Sequence, residues 1–326
     1  MGLKAYFEKH PTEVVIFAGK GGLGKTTSSA SLAWYASQVE KKKTLCFSTD
    51  PQASLSDIFE RNCFGQGVIE LLPNLHAVEI DADRRVAEYQ QSVKDKIKSM
   101  YGLDRVPEEI EEYIDSTNAE PAMYESATYD AMAELVAARD YELYIFDMPP
   151  FGHGVRMVAM ADILSKWVDK ITEARKKAAE YEAVAATLKG QAASEDLIMT
   201  ELLDIRRRIK VFTDLITDSK KTAFFMVLIP EKMAILDTRR ALVMFRDLGI
   251  TLSSLVVNQV YPPDLLKKPD ISDFLKGKIE MQRGHLETIQ KEFGDLVLAT
   301  VPMFTKEPKG WDMLKTSAAA LMDGAG

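Results

Sequence analysis

The sequence contains very little cysteine. Its 326 residues include only two, Cys46 and Cys63, and these do not form a Cys-x-x-Cys pair. Two isolated thiols exclude the disulfide framework of small secreted domains and an iron–sulfur scaffold, which needs paired cysteine ligands. We therefore expect a cytoplasmic protein.

The sequence also lacks a long apolar run. The longest one, Ala223–Pro230, is much shorter than the roughly 20 residues that a membrane-spanning helix needs. Met1–His10 contains no apolar segment like that of a signal peptide. We expect no signal peptide and no direct membrane insertion, so any membrane role would act through a partner.

There is no excess of positive charge either. The chain has 41 basic and 49 acidic residues, which gives a formal net charge of −8. A net negative charge disfavours binding to nucleic-acid phosphates. These counts predict no nucleic-acid partner.

Short apolar segments alternate with helical patterns along most of the chain. Continuous apolar runs are typical of strands that are buried on both faces of a sheet. The predicted strands are Glu13–Ala18, Thr44–Ser48, His76–Ile80, Leu143–Asp147, Ala223–Ile229, Ser254–Asn258 and Leu296–Val301. The alternation predicts an α/β fold with a doubly wound, mainly parallel sheet.

Two stretches, 83–138 and 162–220, have helical patterns and no strand pattern. We predict that they are insertions that build a helical subdomain. The remaining segments, 1–82, 139–161 and 221–326, would then form the core of the fold.

The insertion 162–220 contains two apolar seams with spacings of three and four residues. The first seam consists of Leu164, Trp167, Ile171, Ala174, Ala178, Tyr181, Ala185 and Leu188. The second consists of Ile198, Leu202, Ile205, Ile209, Phe212 and Ile216. This pattern predicts an antiparallel helical hairpin. A packed helical subdomain without a special partner is equally consistent, because periodicity identifies faces and not their partners.

A glycine-rich loop follows the first predicted strand. It reads Gly19-Lys20-Gly21-Gly22-Leu23-Gly24-Lys25-Thr26-Thr27 and fits the P-loop pattern G-x-x-x-x-G-K-[ST]. Glycines let backbone N–H groups approach phosphates, and the helix that follows directs its N-terminus at the anion. We predict that residues 19–27 bind ATP, with Lys25 at the β- and γ-phosphates and Thr26 on Mg²⁺.

Lys20 is not required by an ordinary P-loop, and its presence marks the deviant Walker A type. A cation in the first half of the loop can point away from the ATP of its own subunit and reach the phosphates of a partner. It would then act like an arginine finger. The alternative is a solvated surface lysine.

Four later segments also follow predicted strands. They are Ser48–Asp57, Asp147–Arg156, Val257–Gln259 and Pro302–Gly310. Together with the P-loop, their order resembles that of the ArsA-type arsenical pump-driving ATPases and the guided-entry ATPases that carry tail-anchored membrane proteins. In that family they correspond to switch I, switch II, an adenine-recognition segment and a late loop over the base.

The resemblance implies roles for individual residues. Asp50 would position or activate the attacking water, so that Asp50, Lys20 and Lys25 are the predicted catalytic residues. Asp147 would act on Mg²⁺, directly or through water, while Asn258 and Pro302 would lie at the adenine. Taken alone, Asp50 could form an Asp-Pro turn and Asn258 could cap a strand end.

The resemblance also implies a function. ATP hydrolysis with Mg²⁺ would open and close a homodimer, which captures and releases a client such as a hydrophobic membrane-protein segment. The alternative is the catalytic ATPase subunit of an arsenite or antimonite efflux pump. A DNA-partition ATPase and a nucleotide-binding module without activity are both disfavoured, the former by the acidic charge and the latter by the intact P-loop.

The chain departs from the family in its cysteines. The stretch Tyr261–Phe293 has none, so we expect no zinc site of the kind that bridges eukaryotic guided-entry dimers. Neither helical insertion contains cysteine. Because trivalent arsenic binds several thiolates, this disfavours an arsenite site within the chain.

Overall fold

The computed structural model describes most of the chain. The described residues are 2–48, 54–101, 103–116, 121–148, 169–170, 172–173, 197–247 and 249–324.

A single eight-stranded sheet forms the centre of the protein. Its strands are β1 Val14–Ala18, β2 Thr44–Ser48, β3 Ile69–Leu72, β4 Leu75–Glu79, β5 Leu143–Asp147, β6 Thr222–Leu228, β7 Leu252–Val260 and β8 Val297–Pro302. Their order across the sheet is β3-β4-β2-β5-β1-β6-β7-β8, and every pair is parallel except β3–β4. The predicted α/β fold with a mainly parallel sheet is confirmed.

All seven predicted strands are present, but the short edge strand β3 was not predicted. It pairs antiparallel with β4 through a turn at Pro73 and Asn74, where Asn74 has a φ of 65°. Asparagine tolerates this left-handed conformation better than most residues. A Pro-Asn turn beside an apolar run was the local signal that could have indicated the hairpin.

Among the described residues, ten helices surround the sheet. They are α1 Leu3–Phe7, α2 Lys25–Gln38, α3 Ser54–Phe59, α4 Ala82–Tyr101, α5 Glu108–Ser116, α6 Pro121–Ala138, α7 Leu197–Thr217, α8 Lys232–Asp247, α9 Asp273–Phe293 and α10 Gly310–Asp323. Two short 3₁₀ segments, Pro263–Lys267 and Gly294–Leu296, flank α9. Within the described part of the chain, no helix combines the length and the apolarity that crossing a bilayer requires.

The sheet has a hydrophobic core on each face. Successive side chains of a strand point to opposite faces, and in β6 Phe224 belongs to one core whereas Phe225 belongs to the other. Helices α6, α7 and α8 cover the first face, and α2 and α10 cover the second. Strands sandwiched in this way read as continuous apolar runs, which explains why the sequence pattern located them.

Helices make up most of the described residues of the two predicted insertions. Helices α4, α5 and α6 lie in 83–138, and α7 lies in 162–220. However, α6 and α7 share the first core with the sheet: the rings of Tyr129 and Phe212 are 4.9 Å apart, and those of Phe146 and Phe212 are 6.4 Å apart. The division into core and subdomain remains a prediction.

The C-terminal half of the second apolar seam faces the sheet. Ile209, Phe212 and Ile216 are buried in the core that contains β5 and α6. All eight residues of the first seam lie outside the described residues, so the predicted hairpin pairing stays a prediction.

Candidate active site

The P-loop lies where β1 enters α2, and Gly19 is pressed against the neighbouring strand. Gly19 has a φ of 150°, and a Cβ at this position would be only 2.6 Å from the backbone oxygen of Val227 in β6. No side chain larger than glycine fits such a contact. The loop therefore begins in close contact with the end of β6.

The end of the loop is fixed by Asn258, which reaches it from β7. Its side-chain amide donates to the carbonyl of Leu23 at 2.9 Å and is 8% exposed. Gly24 has a φ of 96°, and a Cβ there would lie 2.1 Å from Nδ2 of Asn258. Asn258 thus braces the P-loop backbone. Its predicted contact with adenine stays a prediction.

Lys25 begins α2 and is only 5% exposed. Its ammonium group donates to the carbonyl oxygen of Lys20 at 3.2 Å, so its side chain folds back across the loop. Thr26 and Thr27 follow in the first turn and are half-buried, whereas Gly21 and Gly22 at the tip of the loop are exposed. This geometry suits the predicted role of Lys25 as the ligand of the phosphates in its own loop.

Lys20 points in a different direction. Its side chain is 58% exposed, and its Nζ lies 3.5 Å from Oδ2 of Asp237 in α8. The two lysines of the loop therefore point in different directions: Lys25 covers the loop, whereas Lys20 extends outward to a neighbouring helix.

A row of polar side chains crosses the carboxyl edge of the sheet. The strand register aligns Glu79 with Ser48, Ser48 with Asp147, and Asp147 with Phe17. Asp147 is 1% exposed at the end of β5. Because Phe17 lies two residues before Gly19, where the P-loop begins, Asp147 lies beside the loop, where the acid of a Walker B motif is expected.

The residues at this edge fit a magnesium ion that is bound mainly by phosphates and water. Thr26 offers a hydroxyl in the first turn of α2, and Asp147 offers a carboxylate on the adjacent strand. Among the described residues, no group of three or more His, Cys, Asp or Glu side chains could hold a metal by itself. Mg²⁺ commonly binds with one or two protein ligands plus substrate phosphates.

The predicted water-positioning residue Asp50 lies outside the described residues, as do positions 149–156 of the second switch. The structure does describe the contact that holds the helix after Asp50. Glu79 accepts hydrogen bonds from the backbone N–H of Leu55 at 2.8 Å and from the hydroxyl of Ser56 at 2.6 Å, and it is fully buried. This carboxylate fixes the start of α3, four residues after Asp50.

The late loop begins at Pro302, which ends β8 and pairs with Val260 of β7. Beyond the loop, the indole of Trp311 in α10 stacks on Phe59 of α3, with ring centroids 5.5 Å apart. Helix α3, which contains the end of the first switch, is thereby packed against α10, which follows the late loop. The contact of Pro302 with adenine stays a prediction.

Three buried or half-buried side chains that support the site were not found from the sequence. Glu79 anchors α3, Asp237 pairs with Lys20, and Gln282 holds the chain after β7 by accepting from Tyr261 N and donating to the carbonyl of Gln259. Glu79 is an acidic residue at the end of an apolar strand, which was a usable signal. Asp237 and Gln282 lie within ordinary helix patterns and gave none.

Both cysteines are buried in the hydrophobic core that α2 and α10 cover. Burial, together with the charge of Asp147, raises the pKa of Cys46 well above its usual range, and burial raises the pKa of Cys63 to about 11. Both thiols are therefore protonated at neutral pH. Protonated, buried thiols are poor ligands for soft ions.

The chain matches known proteins along almost its whole length. The family model described as "Anion-transporting ATPase" matches residues 12–323. A protein of Halobacterium salinarum named "Putative arsenical pump-driving ATPase" is 32% identical over 96% of this chain, which spans 44% of that protein's length. A protein of Aquifex aeolicus with the same name and the number 2 is 30% identical, over 93% of this chain and 96% of its own length.

A third relative is the "ATPase ASNA1 homolog 2" of Paramecium tetraurelia. It is 28% identical over 98% of this chain and 96% of its own length. The family match agrees with the P-loop between β1 and α2 and with the acid at the end of β5. This chain belongs to the anion-transporting ATPase family, whose members are P-loop ATPases.

Proposed function

We propose that the protein is a Mg²⁺-dependent ATPase that works as a cytoplasmic homodimer. ATP closes two subunits face to face and hydrolysis opens them. The helices of 83–138 and 162–220 convert this motion into the capture and release of a client, for which we propose a hydrophobic segment of a membrane protein.

The observation that carries this proposal is the placement of Lys20. Lys25 already covers the loop from its own subunit, whereas Lys20 extends out of the loop and is 58% exposed. A second lysine whose side chain points away from the phosphate site of its own loop is suited to bind the phosphates of another subunit. Such a group stabilises the negative charge of the transition state for phosphoryl transfer.

Apolar side chains on the helical insertions support the proposed client. Leu103, Ile110 and Leu203 are each at least 40% exposed, although all three are large and hydrophobic. Single exposed apolar residues are common on soluble proteins. All three belong to the insertions 83–138 and 162–220, so they are available there to an apolar client.

Client capture can be tested by co-expression with a tagged protein that ends in one membrane helix, followed by purification without detergent. We expect a soluble, stoichiometric complex. The matched control is the same tagged protein with polar residues throughout that helix, which should not co-purify. Absence of a complex with the apolar helix, while the ATPase is folded and hydrolyses ATP, would refute the client part of the proposal.

The second candidate is the ATPase subunit of an arsenite or antimonite pump, which the names of two relatives favour. The buried, protonated thiols count against it. Turnover would rise with added antimonite if the chain had such a site. We expect no stimulation, and the same assay with both cysteines changed to serine should give the same rate.

A further inference from the structure

Asp237 is a carboxylate that points at the P-loop from outside the nucleotide site. It lies in the second turn of α8, which follows β6, the strand that touches Gly19. Its Oδ2 is shielded from solvent and makes no hydrogen bond to any described residue. The charge closest to this oxygen in the described ion pairs is the ammonium of Lys20, at 3.5 Å.

The other oxygen of Asp237 is paired on its own helix. Oδ1 lies 3.5 Å from Nη1 of Arg240, whose side chain is 76% exposed. Arg240 therefore balances the carboxylate without covering Oδ2. The shielded oxygen is left facing Lys20, so the two groups are matched in position although their geometry is that of a loose ion pair.

We propose that Asp237 is a positioning residue that holds Lys20 within its own subunit until the phosphates of a partner replace it. The inference rests on the proposed function, in which Lys20 acts across a dimer. Closure of the dimer then exchanges a singly charged carboxylate for a partner's triphosphate. Asp237 thus sets how readily Lys20 is released and how much ATP-bound protein is needed before dimers form.

The expected effect is modest, because one partner of the pair is more than half exposed. Ion pairs of this kind change an equilibrium constant by up to about fivefold. Each dimer breaks two of these pairs when it forms. Removing the Asp237 charge should therefore lower the dimer dissociation constant by up to about 25-fold.

The test measures ATP turnover as a function of protein concentration in the full chain. Asp237→Asn should shift the half-maximal protein concentration downward by about 3- to 25-fold, with the maximal turnover per subunit unchanged. Asp247→Asn, the same chemical change at the end of the same helix, should leave the curve in place. An unshifted curve for Asp237→Asn, or a lower maximal turnover, would overturn the proposal.

A second readout separates this proposal from the one on which it rests. In nucleotide-free protein, acylation of the Lys20 amine, followed by mass spectrometry, should be faster in Asp237→Asn than in the unmodified sequence. Equal rates would contradict the Asp237 contact itself. If the rates differ but Lys20→Ala hydrolyses ATP at the full rate, the contact is real and the proposed role of Lys20 across the dimer is wrong.

Discussion

Asn258 shows how one side chain can complete a motif that lies far away in sequence. It is separated by 235 residues from Leu23, whose carbonyl it binds. Gly24 leaves the space that the amide fills. The phosphate loop is therefore held by its own glycines and by a donor that β7 supplies.

We predict that Asn258→Ala weakens ATP binding about fivefold, because one buried hydrogen bond to the loop is lost. Titration calorimetry with ATP and GTP distinguishes two roles. If Asn258 also reads adenine, ATP should lose affinity and GTP much less. Equal losses would show that it only braces the loop. An unchanged affinity for both nucleotides would contradict the brace.

The cysteines allow a prediction about pH. Because burial raises the pKa of Cys63 to about 11 and raises that of Cys46 as well, little thiolate exists in the folded protein at pH 8.5. Alkylation by iodoacetamide at this pH should be at least about tenfold slower than in urea-unfolded protein. Mass spectrometry of the two peptides gives both rates, and similar rates in the two states would refute the assignment.

Among the helices, α3 connects the two halves of the site. Its first turn is bound by Glu79 from β4, and its last residue, Phe59, stacks on Trp311 of α10. The segment that contains Asp50 enters this helix directly. Glu79 and Trp311 therefore hold the two ends of α3 beside the sheet edge.

We predict that Glu79→Ala lowers the free energy of unfolding by about 1–3 kcal/mol, because it leaves the buried N–H groups of α3 without their acceptor. Turnover should fall more than ATP affinity, since the loss acts on the Asp50 segment and not on the P-loop. Urea denaturation and steady-state kinetics measure the two effects.

The control for this variant is Glu70→Ala on the edge strand β3, where the side chain is exposed. It should change neither the stability nor the turnover appreciably. If Glu79→Ala weakened ATP binding as much as it slowed turnover, Glu79 would have only a general structural role.

The elements were predictable from the sequence to different degrees. Central strands such as β5 are buried on both faces, and their unbroken apolar runs located them almost to the residue. The edge strand β3 is short and half-exposed, so its residues carry no such run. The sequence also predicted which side of α7 is apolar. It did not predict which element packs against that side, because a periodic pattern identifies a face and not its partner.

The site was predictable where it is local in sequence. Lys25 and Thr26 belong to one contiguous loop whose residue types follow from phosphate chemistry, and Lys20 was identified as an additional cation in the same loop. The supporting contacts of Glu79 and Asp237 depend on which strands become neighbours in the sheet. A single sequence contains no rule that would pair Asp237 with Lys20, since an acidic residue in a helix is usually solvated.

The molecule as a whole brings these parts to one edge of the sheet. Parallel strands β1, β2, β5 and β6 all end there, so that the P-loop, the acid of β5 and the start of α8 are neighbours. The side chain of Lys20 extends from this edge toward Asp237 of α8. In the proposed dimer, the second copy would add a second cation, Lys20, to the Lys25 that each subunit places at its own γ-phosphate.

The most direct test mixes two variants that each lack one part of the composite site. Asp50→Asn keeps Lys20 but lacks the residue proposed to position water, and Lys20→Ala keeps Asp50 but lacks the crossing lysine. Each variant alone should hydrolyse ATP at least about 10³-fold more slowly than the unmodified sequence. Their mixed dimer contains one site with both groups.

Random pairing of equal amounts makes half of the dimers mixed, with one working site in each. If Lys20 acts across the dimer, the mixture should therefore reach about one quarter of the turnover of the unmodified sequence. A mixture no more active than the sum of its two parts would show that Lys20 acts within its own subunit and would refute its proposed role across the dimer.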